Sequence, residues 1–419
     1  QYSRIHTMKS NNLVAIDLEI ASTCNAACPV CIRRQSGEVA DFQQQMRTLE
    51  DVKRIFDGVA KQIQHIQLCG NYGDPMTCAE ILPICQWFKE QNPYMSIRIA
   101  TNGGIGKPDH YRLLGKLGVE MVFGVDGASN EILDLHRVNV RYDRVVRNMK
   151  EYMSECTSTH HEWQYILFDE NKCDVLDAIK QAKELGVHTF YIRHPNGFDD
   201  SDRGIPVYNF AGKFTHWLTA VTDEYQPWLD QHFNLTQEHT FEHLVKSLEK
   251  VIPIYNEKCH TEDVPGKYTP DDPKPYDGIT LYEYTDLEQH MIDHISKVDR
   301  QECYSLNYHK NTNFENEILN VFVSHDNYVY PCCMVGSVVS RSKQNDYDGE
   351  QGHINSLLND ITESNYNDFS VSDKSLKAVL DSGVLHKTYY DHMKAGDPNS
   401  YCKLTCGKCT GSRSIYQTF

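Results

Sequence analysis

The sequence predicts an α/β protein whose first two hundred residues form a parallel sheet with helices outside it. Two observations carry this prediction. Short runs rich in β-branched and aromatic residues recur along this part of the chain, and a helical pattern lies between successive runs. Six strand–helix units in a row imply parallel strands, arranged either as an open doubly wound sheet or as a partial barrel. The strand-like runs cover residues 14–20, 65–69, 97–100, 120–125, 163–168 and 189–192.

The predicted helices lie in the intervals between these runs. Thr48 followed by Asp51 is typical of a helix N-cap and opens the first of them. The helical patterns cover residues 49–63, 79–91, 109–117, 131–135 with 142–153, and 174–185. After residue 195 the alternation stops. Helical patterns at 241–251 and 287–298 then flank a proline-rich stretch at 261–278, and residues 318–330 predict a hairpin turning at 325–327.

Composition and charge exclude several classes of protein. The chain has no stretch of eighteen consecutive apolar residues, so no transmembrane helix is expected. A net charge of −17 argues against nonspecific binding to nucleic acid or to an anionic membrane, so neither is an expected partner. Of the fifteen cysteines in this 419-residue chain, three lie within eight residues near the start, and five of the last seven form two groups near the end. Disulfide scaffolds are usually short secreted chains, so the clustering favours metal clusters in a reducing cytoplasm.

Polar residues and glycines follow nearly every predicted strand. In parallel α/β architectures, chemistry gathers at the carboxyl ends of the strands. We therefore expect the functional site to be built from the segments that follow the strands. These segments are the loop containing Cys24, and residues 69–75, 101–104, 126–127, 169–171 and 193–194.

The loop after the first strand carries the most specific motif, a CxxxCxxC run formed by Cys24, Cys28 and Cys31. Thiolates are the normal ligands of iron–sulfur clusters, and three of them on one loop leave one iron of a [4Fe–4S] cluster open to a substrate. The alternative is a zinc site, which would need a fourth ligand nearby. The next candidates, His65 and Cys69, belong to another strand, so the spacing favours the cluster.

Residues 18–31 resemble the opening of the radical S-adenosylmethionine (SAM) superfamily, and the resemblance extends over residues 10–200. It implies a partial (β/α)6 TIM-like barrel whose CxxxCxxC loop follows the first strand. It also implies SAM contacts in several segments. By this resemblance, the SAM amino group is contacted by a glycine-rich motif, which consists of Gly70, Asn71, Gly73, Asp74 and Pro75. The basic residues His136 and Arg137 lie at the SAM carboxylate or ribose, and Val30 lies at the adenine. Contacts at further strand ends come from Thr101, Asn102, Asp126, Gln164 and Asn171.

The resemblance also implies the chemistry. In this superfamily the cluster passes one electron to SAM, and the resulting 5′-deoxyadenosyl radical abstracts a hydrogen atom from the substrate. Such an enzyme needs an external electron donor such as flavodoxin or ferredoxin. Val30 departs from the aromatic residue that many members carry beside the adenine. The glycine-rich motif after the second strand argues against a non-catalytic iron–sulfur redox scaffold, because a scaffold has no use for a SAM amino-group site.

A second group of cysteines lies near the end of the chain. Its last three members repeat the CxxxCxxC spacing without a strand before them, and over residues 301–411 the group resembles the SPASM auxiliary-cluster region or its shorter form, twitch. The resemblance implies one auxiliary [4Fe–4S] cluster, with a structural zinc knuckle as the alternative. The preferred ligands are Cys303, Cys332, Cys406 and Cys409, and the alternates are Cys333 and Cys402.

The predicted organisation is therefore a radical SAM core at 10–200, an aromatic-rich insertion or linker at 201–300, and a twitch/SPASM-like domain at 301–419. Relatives with such auxiliary clusters modify peptides, so the expected substrate is a ribosomally made peptide. Oxidation or rearrangement of a small molecule such as an aminosugar is the alternative. Because few residues precede Val14, a peptide is expected to dock on the insertion or on a separate leader-peptide-binding protein.

Overall fold

The computed structural model describes residues 13–29, 31, 33–35, 38–39, 44–69, 72–195, 204–221, 223–252, 300–301, 319–330, 367–385 and 407–408. The strands are β1 (Leu13–Leu18), β2 (Arg34–Gln35), β3 (Glu38–Val39), β4 (His65–Leu68), β5 (Ser96–Thr101), β6 (Glu120–Gly124), β7 (Glu162–Ile166), β8 (Thr189–Arg193), β9 (Ile205–Tyr208), β10 (Phe214–Leu218), β11 (Gln231–Asn234), β12 (Arg300–Gln301), β13 (Leu319–Val323), β14 (Val329–Tyr330) and β15 (Gly407–Lys408). The helices are α1 (Leu49–Ile55), α2 (Ile81–Gln91), α3 (Pro108–Lys116), α4 (Asn130–His136), α5 (Tyr142–Ser154), α6 (Val175–Glu184), α7 (Glu238–Leu248) and α8 (Leu376–Asp381).

One large sheet organises the protein. Its strand order is β11-β8-β7-β6-β5-β4-β1-β13-β14. The neighbours from β8 to β13 are all parallel, whereas β11 and β14 add antiparallel strands at the two edges. The predicted mixed α/β class with a mostly parallel sheet is therefore confirmed.

The predicted elements of residues 13–193 are all present, with shifted ends. The first helix begins as expected: Thr48 Oγ1 accepts from Asp51 N at 3.1 Å, and Asp51 Oδ2 accepts from Thr48 N at 3.0 Å, a capping box. It ends at Ile55, eight residues before the predicted end. Gly58 explains the early end, because its φ of +74° is a left-handed conformation that cannot continue a helix.

The two faces of the sheet differ in chemistry. On one face, alternate residues of β1 and β4–β8 are apolar and fully buried against the helices, as Ile16, Ile99 and Trp163 illustrate. This alternation is the pattern of period two that makes strands amphipathic. The opposite face carries polar and charged side chains, and here we call it the inner face.

The C-terminal hairpin joins this sheet. β13 and β14 form the predicted antiparallel pair, with Phe322 opposite Tyr330. The sequence did not predict that β13 would lie parallel to β1, with Val321 opposite Ile16. Because parallel strands end at the same edge, the turn after β13 lies beside the loop that follows β1. The predicted helix at 287–298 lies outside the described residues.

Residues 204–252 contribute the separate β9–β10 hairpin, the strand β11 at the edge of the large sheet, and helix α7, whose Leu244 and Leu248 pack in the main core. In the described part of the chain, no helix combines the length and the apolar character needed to cross a lipid bilayer.

Candidate active site at the cysteine loop

The loop that carries the three cysteines is anchored at its start and in its middle by backbone hydrogen bonds. Ser22 N donates to Gln45 O at 2.9 Å, which ties the start of the loop to the segment before α1. Ala27 N donates to Val138 O at 2.9 Å, which ties its middle to the segment after α4. The loop position is therefore set by several distant segments and not by β1 alone.

Cys24 receives two N–H donors. Ala26 N lies 3.4 Å and Asn102 Nδ2 lies 3.5 Å from Cys24 Sγ, and Asn102 Nδ2 also donates to Asn25 Oδ1 at 2.9 Å. Burial raises the pKa of the Cys24 thiol to about 12. A protonated thiol in this position releases its proton only when a cation replaces it, as metal binding does.

Cys28 lies beside Arg137, whose Nη1 is 4.0 Å from the Cys28 sulfur. Burial raises the pKa of Cys28 to about 11, while the Arg137 charge opposes the rise. The Arg137 guanidinium crosses the inner face over Gly124, where an added Cβ would lie 2.8 Å from Arg137 Nη2. Only glycine leaves room for the guanidinium at this place in β6.

Asp126 fixes the direction of Arg137. Its Oδ2 accepts from Arg137 Nε at 2.6 Å and from His136 Nδ1 at 2.6 Å, and its Oδ1 accepts from Ile166 N at 2.8 Å. Burial would raise the pKa of this fully buried carboxyl, but Arg137 and His136 outweigh burial and hold it at about 2. Asp126 is therefore ionised at neutral pH and pairs with Arg137 beside Cys28.

The segment after β4 packs directly on the cysteine loop. A Cβ on Gly73 would lie 2.3 Å from Ala21 O and 2.7 Å from Thr23 O, so a larger residue cannot enter without moving the loop. Asp74 accepts from Thr101 Oγ1 at 2.8 Å and from Asn102 N at 2.8 Å, which joins the ends of β4 and β5. The structure thus brings Gly73, Asp74, Thr101 and Asn102 together around Cys24.

The remaining predicted site residues fall into three groups. Pro75 opens a short 3-10 turn after Asp74. Gln164 lies on the inner face beside Gly124. The Asn171 side chain bonds to backbone groups of two loops: it donates to Asp126 O after β6 at 3.0 Å and accepts from Phe168 N of its own loop at 2.7 Å. Outside the described residues lie Val30, Gly70, Asn71, Cys303, Cys332, Cys333, Cys402, Cys406 and Cys409.

Sequence reasoning missed a buried clamp that reaches this site from the other end of the chain. Glu19 Oε1 accepts from Tyr72 N at 3.1 Å, and Glu19 Oε2 accepts from His325 N and His325 Nδ1, each at 3.0 Å. Arg47 Nε donates to Glu19 O at 2.9 Å, and its Nη2 donates to Ser324 O. The turn after β13 is therefore bonded to the strand that leads into the cysteine loop. The available signal was Glu19 itself, a charged residue inside the predicted strand at 14–20.

The β9–β10 hairpin also contacts the cysteine loop. Ala27 packs in a second buried cluster with Val138 and Phe168 from the core and with Ile205, Val207 and Leu218 from the hairpin. Residues of the predicted insertion thus cover the loop between Cys24 and Cys28.

Glu170 ties this hairpin to the loop after β7. Its carboxylate accepts from Thr219 N at 2.9 Å and from Thr219 Oγ1 at 2.7 Å. Burial raises the pKa of Glu170 from its ordinary 4.5 to about 7. The folded protein therefore binds more protons than the unfolded chain between these values, so its free energy of unfolding should fall as pH rises from about 4.5 through about 7.

The variant Glu170→Gln should remove this pH dependence, because an amide keeps both contacts to Thr219 without a charge. At pH 8 we expect the variant to be more stable than the wild type by about 1–3 kcal/mol, and at pH 4 to be equally stable. Urea unfolding across this pH range measures the difference. Glu90→Gln, at an exposed position of α2, is the matched control. Parallel pH profiles for wild type and Glu170→Gln would contradict the assignment.

The three cysteines suit a cluster better than a single ion. In the described residues, no three His, Cys, Asp or Glu side chains lie close enough to share one metal ion. A zinc ion needs its sulfur ligands about 2.3 Å from one centre, whereas the irons of a cluster each take a separate thiolate. Thiolate ligands are stabilised by hydrogen-bond donors, which Ala26 N and Asn102 Nδ2 supply, and by a nearby positive charge, which Arg137 supplies. The residues present therefore fit an iron–sulfur cluster.

Comparisons with known proteins gave one family match and several similar solved structures. Residues 18–161 match the family model of the Radical SAM superfamily. The structure is similar to Streptococcus suis SuiB bound to precursor peptide SuiA, with a TM-score of 0.48 and 10% identity over 94% of this chain and 72% of that chain. It is similar to anSMEcpe with bound AdoMet, with a TM-score of 0.44 and 13% identity over 94% and 89% of the two chains. For SuiB bound to S-adenosylmethionine, the TM-score is 0.42 and the identity is 10%. That match covers 77% of this chain and 60% of the SuiB chain, so this chain spans less than two thirds of the SuiB length. No curated protein sequence matches the chain.

Proposed function

We propose, from the match of residues 18–161 to the Radical SAM superfamily, that this protein is a radical SAM enzyme. Cys24, Cys28 and Cys31 would hold a [4Fe–4S] cluster at the carboxyl edge of a partial (β/α)6 barrel. When bound, the cluster and SAM together supply a 5′-deoxyadenosyl radical that abstracts hydrogen from a substrate. The observation that carries the proposal is the convergence of Gly73, Asn102 and Arg137 on the loop that holds these cysteines.

The residues around the loop have distinct tasks in this proposal. Asn102 and Arg137 direct N–H groups at the sulfurs of Cys24 and Cys28. Arg137, held by Asp126, also presents its positive charge where the carboxylate of SAM would be bound. The hairpin residues that pack on Ala27 exclude water from one side of the loop.

We further propose that the substrate is a peptide undergoing post-translational modification. The proposal rests on the resemblance of the C-terminal cysteines to the SPASM and twitch regions, and it includes one auxiliary [4Fe–4S] cluster in that segment. An aromatic hairpin beside the cysteine loop supports a substrate-binding role for the insertion, because Phe214 packs with Tyr208 and Trp217 at centroid distances of 6.1 and 5.5 Å. Aromatic side chains are rigid and carry much of the energy of protein and peptide recognition.

The direct test is anaerobic reconstitution with iron and sulfide, followed by addition of dithionite and SAM. We expect 5′-deoxyadenosine to form and to be detected by liquid chromatography with mass spectrometry. Absence of this product from protein whose cluster is intact by absorbance and iron content would refute the enzymatic proposal and leave a redox scaffold.

A further inference from the structure

The inner face of the sheet is polar and partly exposed, which is unusual for parallel strands. Parallel sheets are normally covered on both faces, and the interior of a closed barrel is filled by branched apolar side chains. In the described part of the chain, helices cover only the apolar face, and side chains that alternate with the buried ones line the other. The charged and polar members on β1 and β4–β8 are Asp17, His65, Gln67, Ser96, Arg98, Glu120, Glu162, Gln164, Thr189, Tyr191 and Arg193.

Two of the three arginines at this face, Arg98 and Arg137, are paired with carboxylates, and the third, Arg193, is not paired with one among the described residues. Arg98 Nη2 lies 3.4 Å from Glu162 Oε1, and Arg137 Nε lies 2.6 Å from Asp126 Oδ2. Arg193 forms no ion pair in the described part of the chain. Its contacts are with neutral groups: Nη1 lies 3.4 Å from Gln164 Oε1, and the guanidinium carbon lies 5.8 Å from the centre of the Tyr191 ring.

The guanidinium of Arg193 is nevertheless held in place. Gln164 Nε2 donates to Glu162 Oε1 at 2.6 Å, which directs Gln164 Oε1 towards Arg193. Tyr191 stacks on His232 with centroids 3.8 Å apart and an interplanar angle of 8°. Gln164 and Tyr191, which also shares a side-chain hydrogen bond with Arg193, therefore position a guanidinium that has no carboxylate partner among the described residues. This preorganisation lowers the entropic cost of binding a ligand.

Strand register places this guanidinium close to the cysteine-loop site. Gly124 of β6 is opposite Gln164 of β7, and Ile166 of β7 is opposite Arg193 of β8. Arg137 crosses the inner face at Gly124. Since adjacent strands are about 4.8 Å apart, Arg193 is about 10 Å across the sheet from the strand over which Arg137 lies.

We propose that Arg193, with Gln164, forms a binding subsite for a carboxylate carried by the substrate. This inference rests on the proposed function, because it places the carboxylate on the molecule that reacts beside the cysteine loop. A planar guanidinium matches a carboxylate in a two-point hydrogen-bonded pair. For a peptide substrate, the group bound is an acidic side chain or the C-terminal carboxylate. SAM also has a carboxylate, so the experiment must separate these two sources.

The experiment labels arginines of the iron-loaded protein with phenylglyoxal and quantifies each site by peptide mass spectrometry. Glutarate is the carboxylate probe, and glutaramide is its uncharged match. With SAM present, we expect glutarate to slow the labelling of Arg193 about fivefold at four times its Kd, and glutaramide to have no effect. Exposed Arg147 on α5 is the internal control, and its labelling should not respond to either probe.

Two outcomes would overturn the inference. If neither probe protects Arg193, the subsite does not bind carboxylates. If SAM alone protects Arg193 and glutarate adds nothing, the residue serves the SAM carboxylate. Equilibrium dialysis adds a second measurement: Arg193→Gln should retain the wild-type affinity for SAM and lose glutarate binding, and Arg193→Lys should retain the affinity for SAM and part of the glutarate binding. Assaying 5′-deoxyadenosine on the same samples separates the two proposals, because protection by glutarate without that product would refute only the enzymatic function.

Discussion

Replacing Cys28 with alanine should abolish formation of 5′-deoxyadenosine. Cys28 lies in the middle of the CxxxCxxC loop and is the cysteine that faces Arg137 at 4.0 Å. Two thiolates cannot hold a cluster that needs three protein ligands, so the reconstituted variant should contain about four fewer iron ions per chain. Iron analysis and product detection by mass spectrometry measure both effects.

Two further variants show whether the effect is specific to this loop. Cys156→Ala removes a partly buried thiol that donates to Ser158 O at 3.4 Å, before β7 and away from the carboxyl edge, and should retain full product formation. Cys406→Ala, in the proposed auxiliary-cluster segment, should retain some cleavage of SAM uncoupled from substrate. Persistent product formation by Cys28→Ala would assign the chemistry to the second CxxxCxxC run and contradict the proposal.

Replacing Asp126 with asparagine should destabilise the fold by about 3–5 kcal/mol, because it leaves the Arg137 charge without its carboxylate in a largely buried site. The amide nitrogen would also face Arg137 Nε and His136 Nδ1, which are both donors. The midpoint of urea unfolding measures the loss. The ion pair contributes above the ordinary pKa of 3.8, and its contribution is lost as pH falls towards about 2, so the difference between wild type and variant should shrink in acid.

The matched control for this change is Asp143→Asn. Asp143 pairs with Arg141 at 3.2 Å, but both side chains are more than 60% exposed, so no measurable loss is expected. The double variant Asp126→Asn with Arg137→Gln should recover part of the lost stability, because it removes the unpaired buried charge. An unfolding midpoint of Asp126→Asn equal to that of the wild type would show that the pair does not stabilise the fold.

Much of the fold could be predicted because local patterns encode it. Short runs rich in β-branched and aromatic residues identified β1 and β4–β8, and Thr48 with Asp51 identified the start of α1. Element ends were less accurate. The first helix stops at Ile55 because Gly58 adopts a left-handed conformation, which composition alone does not reveal.

The candidate site was predicted in part. The spacing of Cys24, Cys28 and Cys31 and the glycine at position 73 are local features, so the sequence indicated both. It associated Arg137 with SAM, but not with Cys28 or with Asp126. Those contacts depend on where α4 ends relative to β6, and no spacing along the chain encodes that distance.

By itself, the sequence determined the order of strands and helices, and it predicted the ligand chemistry of the cysteine loop and the edge of the sheet where the site would lie. These follow from side-chain periodicity and from the rule that parallel strands end together. Only the tertiary structure decided that Glu19 bonds to His325, more than 300 residues away, and that Arg193 forms no ion pair in the described part of the chain. The physical reason is strand register: it brings together side chains from separate strands, and packing of the whole sheet sets it.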